Sequence, residues 1–198
     1  MANKDIVNGF RPLRRLSGGT TWPINRYYID SSNAVAAVGI GTMMTLAANT
    51  SSVGVPEVAI LATQGSVVAP LGPVVAIEFN PDAPNRLYLP ASTSGYVYIA
   101  DAPDMVLAVQ SSGTFEDGDI GAKADLTDAG TSTTTGMSGQ EIDQSDIGAT
   151  LTFPFTIYKL LNRADNALGA NAELEVIYNL HVYAPSGYVT GNAAGVHN

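Results

Sequence analysis

The chain has 198 residues, no cysteine, 45% hydrophobic and 14% charged residues, and a formal charge of −9. One domain of this size buries roughly 70% of its unfolded surface without staples. The composition excludes disorder, and the lack of thiols excludes disulfides, thiolate catalysis and cysteine-type zinc sites.

Residues 1–26 read as an extended basic arm. Lys4, Arg11, Arg14, Arg15 and Arg26 stand against one acid, Asp5, whereas the rest of the chain holds four basic and seventeen acidic residues. A basic arm on an acidic body points to contact with an acidic partner surface or another subunit's body. The arm has too few charges to neutralise many phosphates, and the body repels nucleic acid, so no nucleic-acid partner is expected. Gly9, Pro12, Gly18, Gly19 and Pro23 break any helix. Such a segment orders by lying on its own body or on a neighbour. Phe10, Arg11, Arg14, Arg15, Trp22 and Arg26 are its candidate partner-binding residues.

The body spans 27–184. Arg26–Asp30 is expected as the first strand. Ala34–Ala48 reads as strand, glycine turn, strand. Its Gly39-Ile40-Gly41 imitates a dinucleotide loop, but Met44 stands where the third glycine belongs. Glu57–Thr63 and Val74–Phe79 are two further buried strands. Tyr96–Ile99 and Met105–Val109 are strand formers separated by Asp101-Ala102-Pro103-Asp104, a strand–turn–strand unit. Strands recurring every 10 to 20 residues, with no convincing helix between them, predict an all-β fold. The expected form is a single β-sandwich or a β-barrel of jelly-roll type.

Residues 111–148 change character, with many Asp, Gly, Ser and Thr. They read as a long polar excursion with at most short strands, of the kind that makes contacts. Leu151–Leu161 alternates, with Leu151, Phe153, Phe155, Ile157 and, weakly, Lys159 on one face. Pro154 predicts an edge or a bulge there. Glu173–Tyr183 is the last long strand, with Leu174, Val176 and Tyr178 opposite Glu173, Glu175 and Ile177. Residues 185–198 form an irregular tail.

No catalytic constellation stands out. His181 reads as a structural histidine and His197 as inert. The acids at 117, 119, 125 and 128 resemble a loose calcium loop but miss the EF-hand spacing at Gly121 and Asp128, so no metal or cofactor is expected. No apolar run approaches the roughly 20 residues of a membrane helix. The polar opening also lacks a signal peptide's apolar core. A soluble chain made in the cytosol is the expectation, with no membrane partner.

Several segments, in order, resemble the capsid-decorating (cement) proteins of tailed bacteriophages. They are Asn8-Gly9-Phe10-Arg11-Pro12 before Tyr27-Tyr28-Ile29; Pro90-Ala91-Ser92-Thr93 before Tyr96–Ala100; Ala102-Pro103-Asp104 before Val109-Gln110; Ala124-Asp125-Leu126; Thr133–Gly136; Ser138-Gly139; Ile142-Asp143; and Asp165-Asn166-Ala167 before Tyr178-Asn179 and His181. The chain departs from that pattern at Gly95, Lys123 and Met137. The resemblance implies a non-enzymatic β-rich protein on the outside of an icosahedral virion shell, assembled in the host cytoplasm. It would cement major capsid proteins of the HK97 type against packaged-DNA pressure, as a homo-oligomer. Under this reading the 1–26 arm and the 111–148 excursion clasp the shell. Deleting residues 2–16 is expected to abolish binding and leave the body folded. Two alternatives stay open. One is another virion part, such as a head-fibre base or tail protein. The other is a carbohydrate-binding β-sandwich with an aromatic pocket and convergent carboxylates.

Overall fold

A computed structural model gives the fold; it describes residues 3–48, 53–61, 68–81, 83–127, 130–148 and 150–184. Among these there is no α-helix, only strands and two short 3-10 turns. The strands are β1 (Arg11–Arg15), β2 (Ile24–Ile29), β3 (Met43–Leu46), β4 (Val58–Ile60), β5 (Gly72–Ile77), β6 (Gly95–Ala100) and β7 (Met105–Gln110). The excursion carries β8 (Thr114–Phe115), β9 (Lys123–Ala124), β10 (Leu126–Thr127) and β11 (Glu141–Ile142). The last segment carries β12 (Phe155–Leu160), β13 (Gly169–Ala170) and β14 (Glu173–Tyr178).

The fold is all-β, of sandwich type. One antiparallel sheet runs β1-β7-β14-β12-β9 and the other β2-β6-β5-β3-β4. The second sheet curls until its two edges touch at a single bridge, Tyr28 to Glu57, but neither sheet closes into a barrel. Two apolar clusters fill the body. Leu107, Val109, Phe155, Leu174 and Val176 line the inner face of the first sheet. Tyr27, Ile29, Val74, Val97 and Ile99 fill the curl of the second. The expected alternation of β14 holds, with Leu174, Val176 and Tyr178 inward.

Four local expectations change. Arg11–Arg15, read as irregular arm, is a strand paired with β7. Its edge is guarded against further strand pairing by Pro12, a register shift between Pro12 and Arg14, and three arginines. Of the two strands expected in Ala34–Ala48 only β3 forms. The first is reduced to isolated bridges, Val38–Leu89 and Ile40–Met137.

The strand expected from Leu151 starts at Phe155. Its bulge lies between Ile157 and Lys159, not at Pro154. That extra residue turns Lys159 outward, opposite Glu175, and leaves Leu160 packed on the core. The last strand stops at Tyr178, short of the expected Tyr183. The sequon at Asn49, the end of the Glu57–Thr63 strand, Asp128, His197 and the 185–198 tail lie outside the described residues.

The glycines that imitate a nucleotide loop serve close backbone approach. A Cβ on Gly39 would meet the Gly136 carbonyl oxygen at 2.4 Å. Gly41 has φ +87°, and a Cβ there would meet the Asn8 carbonyl oxygen at 2.5 Å. Only glycine lets the N-terminal segment run that close, and the Phe10 N–H donates to the Gly41 carbonyl at 2.9 Å.

Candidate interaction surfaces

The six expected contact residues are all engaged with the chain's own body. Phe10 is 1% exposed and stacks on Phe155, so it is not a surface contact. Trp22 is half-buried against the first apolar cluster. Arg26 lies over the Tyr96 ring, 3.5 Å from its centroid, and pairs with Glu78 at 2.8 Å. Arg11, Arg14 and Arg15 project from β1 and form ion pairs with Glu173, Glu175 and Asp104.

The Arg11 and Arg14 pairs belong to a charged layer on the outer face of the first sheet, while Arg15 stands opposite Met105 at the strand's end. Register places Arg11, Ala108, Glu175 and Lys159 in one row across four strands. Arg11 and Arg14 reach across β7, whose outer residues Val106 and Ala108 are small and fully buried. Their aliphatic stems cover that apolar strip while their heads meet acids on β14. Each acid is shared by two cations. Glu173 pairs with Arg11 and with Arg163, the latter at 2.5 Å. Glu175 pairs with Arg14 at 2.7 Å and Lys159 at 3.2 Å.

The carboxylates are sunk, with side chains 12% and 7% exposed, and the cations lie above them at 35–47%. Cations thus form the solvent side of the layer, on an otherwise acidic body. Sequence reasoning found the three arginines of β1 but missed Lys159, Arg163, Glu173 and Glu175. The available signal was a pair of acids two apart on one face of a buried strand, which requires cations nearby.

Asp104 anchors the end of β1. Burial works against its carboxylate, but Ser17 Oγ at 2.5 Å and Arg15 Nε at 2.9 Å outweigh it. They hold it below the usual carboxylate range.

A second surface surrounds Leu89. Phe79 and Leu87, on the loop that carries Leu89, are 70% and 60% exposed. Two shallow concavities flank this loop. One, of about 360 Å³, has Pro84, Arg86 and Tyr88 on its wall and no carboxylate among the described residues. The other, of about 190 Å³, holds Phe79, Leu89, Tyr96 and Glu78. Glu78 is already paired with Arg26. Among the described residues neither brings two carboxylates together, as the carbohydrate-site alternative requires.

The histidine and the acidic run also have defined surroundings. His181 Nε2 donates to the Leu71 carbonyl at 2.7 Å, and Nδ1 accepts from the Tyr183 N–H at 3.0 Å. Both ring nitrogens are used by backbone, a structural arrangement that leaves neither for proton transfer. Asp119 caps the Glu116 N–H, and Asp125 takes the Leu126 N–H. Among the described residues no three potential metal ligands converge.

No protein-family model matches the chain, and no curated protein or solved structure matches it.

Proposed function

We propose that the chain is a structural protein of a bacteriophage particle that binds the outside of an icosahedral shell and cements neighbouring capsid proteins. It acts without catalysis, through its surface, in more than one copy. The observation that carries this reading is the exposed apolar surface around Leu89. Phe79 and Leu87, on the loop that carries Leu89, stand largely in solvent in a chain that is only 14% charged. Large exposed apolar side chains gathered at one place mark a surface that a partner covers. The ordered resemblance of short segments names the partner as a shell of HK97-type subunits. Several modest contacts tethered in one oligomer give tight overall binding.

The test is copy number. Phage particles produced together with this chain are salt-washed, and the chain is quantified against the major capsid protein by mass spectrometry. A near-equimolar ratio is the expected result. A ratio of a few per cent overturns the cement role in favour of a fibre base or tail part, and absence from particles overturns the virion reading.

A further inference from the structure

The first sheet is electrically lopsided. Its β1 edge carries Arg11, Arg14 and Arg15, each 35–37% exposed. A guanidinium presents a fork of N–H donors, and each of these ties its own carboxylate through one nitrogen. The three side chains stay partly open to solvent, although Arg11 Nε is buried without a partner.

The opposite edge carries the acids. The Gly121 N–H donates to the Ile157 carbonyl at 2.9 Å, and the Ile157 N–H to Ala122 at 3.0 Å. This lays residues 121–122 of the excursion along the side of β12 away from β14, and the turn just before them holds Glu116, Asp117 and Asp119. Glu116 and Asp117 are exposed. Among the described residues none of the three acids is in an ion pair, whereas exposed Asp165 is paired with Arg163. The sheet order puts β1 and β12–β9 at opposite sides.

We infer that copies of this chain associate head to tail, the β1 arginines of one copy receiving the Glu116–Asp119 turn of the next. The contact is made by side-chain charge. Pro12 and the shifted register of β1 block extension of the sheet. Unlike surfaces meeting in this way generate a ring or a filament, not a two-fold dimer. A polyanion such as nucleic acid fits this edge less well, because residues 27–198 hold seventeen acids against four cations and repel it. The inference rests only on that part of the proposed function in which copies meet. A shell that binds the chain while the free chain stays monomeric leaves the shell reading standing and overturns this one.

The experiment uses the purified full chain in sedimentation velocity up to about 1 mM, where contacts worth some 4 kcal/mol become visible. Association is expected at low salt, weakened about tenfold or more in about 0.5 M NaCl, which screens exposed charge. Arg11→Gln/Arg14→Gln and Glu116→Gln/Asp117→Asn are each expected to weaken it similarly. The arginine pair is not expected to unfold the chain, because Glu173 keeps Arg163 and Glu175 keeps Lys159. A monomer at every concentration, or an oligomer indifferent to both pairs, overturns the inference.

A second measurement does not depend on those variants. The chain has no cysteine, so Arg14→Cys and Asp117→Cys chains can be mixed and oxidised. A disulfide-linked heterodimer is expected, and none when Arg86→Cys replaces Arg14→Cys. Linkage of Arg14→Cys only to itself indicates a two-fold contact and overturns the head-to-tail arrangement.

Discussion

Phe10 lies almost flat on Phe155, ring centroids 4.8 Å apart and planes 22° from parallel. The N-terminal segment therefore supplies part of the core through Phe10 and an edge of the first sheet through β1. Phe10→Ala should cost about 3–5 kcal/mol, the range for emptying a buried phenylalanine site, measured by urea unfolding. By the same reasoning, removing residues 2–16 should unfold the body. The sequence had suggested that this deletion spares it. A truncated chain with an unchanged melting curve would contradict the packing described here.

Glu175 is bound from two sides, so its cations back each other up. Arg14→Gln or Lys159→Gln alone should cost less than about 1 kcal/mol, because each leaves the other partner on a half-exposed pair. The double substitution strands a carboxylate whose side chain is 7% exposed and should cost about 3 kcal/mol, well above the sum. A double-mutant cycle measures the excess directly. Additive single effects would mean that Glu175 is hydrated and needs neither cation.

His181 should stay neutral through the physiological range. Burial pushes its imidazole down to about 4, against the pull of the Leu71 carbonyl and of Asp101. The unfolded value is about 6.5, so between about pH 6.5 and 4 the unfolded chain takes up a proton that the folded chain refuses. This stabilisation is complete above the unfolded value and is lost as pH falls through the folded one, with a size of about 3 kcal/mol. NMR should show the His181 ring signals constant from about pH 8 to about pH 5. A titration centred near 6.5 would show the ring open to solvent.

Two tyrosines in the same region should respond oppositely to loss of the hydroxyl. The Tyr27 hydroxyl donates to Asp101 Oδ2 at 2.6 Å, inside a site where Asp101 is 6% exposed. Tyr27→Phe should cost about 1–3 kcal/mol, since it leaves one of that carboxylate's bonds unmade. The Tyr178 hydroxyl is buried with no hydrogen-bond partner. Tyr178→Phe should be neutral or stabilising by up to about 1 kcal/mol. Thermal unfolding of the two variants side by side gives the comparison, and a strongly destabilised Tyr178→Phe would reveal a partner for that hydroxyl.

Strand content was legible where side-chain chemistry and period coincide. Tyr96–Ile99 and Met105–Val109 are dense in strand formers and bounded by turn residues, and both are strands. The alternation of Glu173–Tyr178 gave its two faces correctly, because one side packs on the core and the other carries charge. The bulge at Tyr158 was not legible, since a one-residue slip is decided by what the neighbouring strand presents. The strand in Arg11–Arg15 was hidden because an arginine-rich segment with a proline has no strand period of its own. It becomes a strand only where β7 offers open backbone groups and β14 offers acids.

The sequence by itself determined the all-β class, the absence of disulfides, the segregation of positive charge into the first 26 residues and the polar character of 111–148. These follow from composition and local pattern, which do not depend on what lies opposite. Only the tertiary structure decided that the basic residues of Arg11–Arg15 turn inward onto Glu173, Glu175 and Asp104. It also brought Lys159 and Arg163 into the same layer and set the acidic turn on the far edge of that sheet. The β1 pairs join residues more than 80 positions apart, and strand order and register, not local preference, bring all of these groups together.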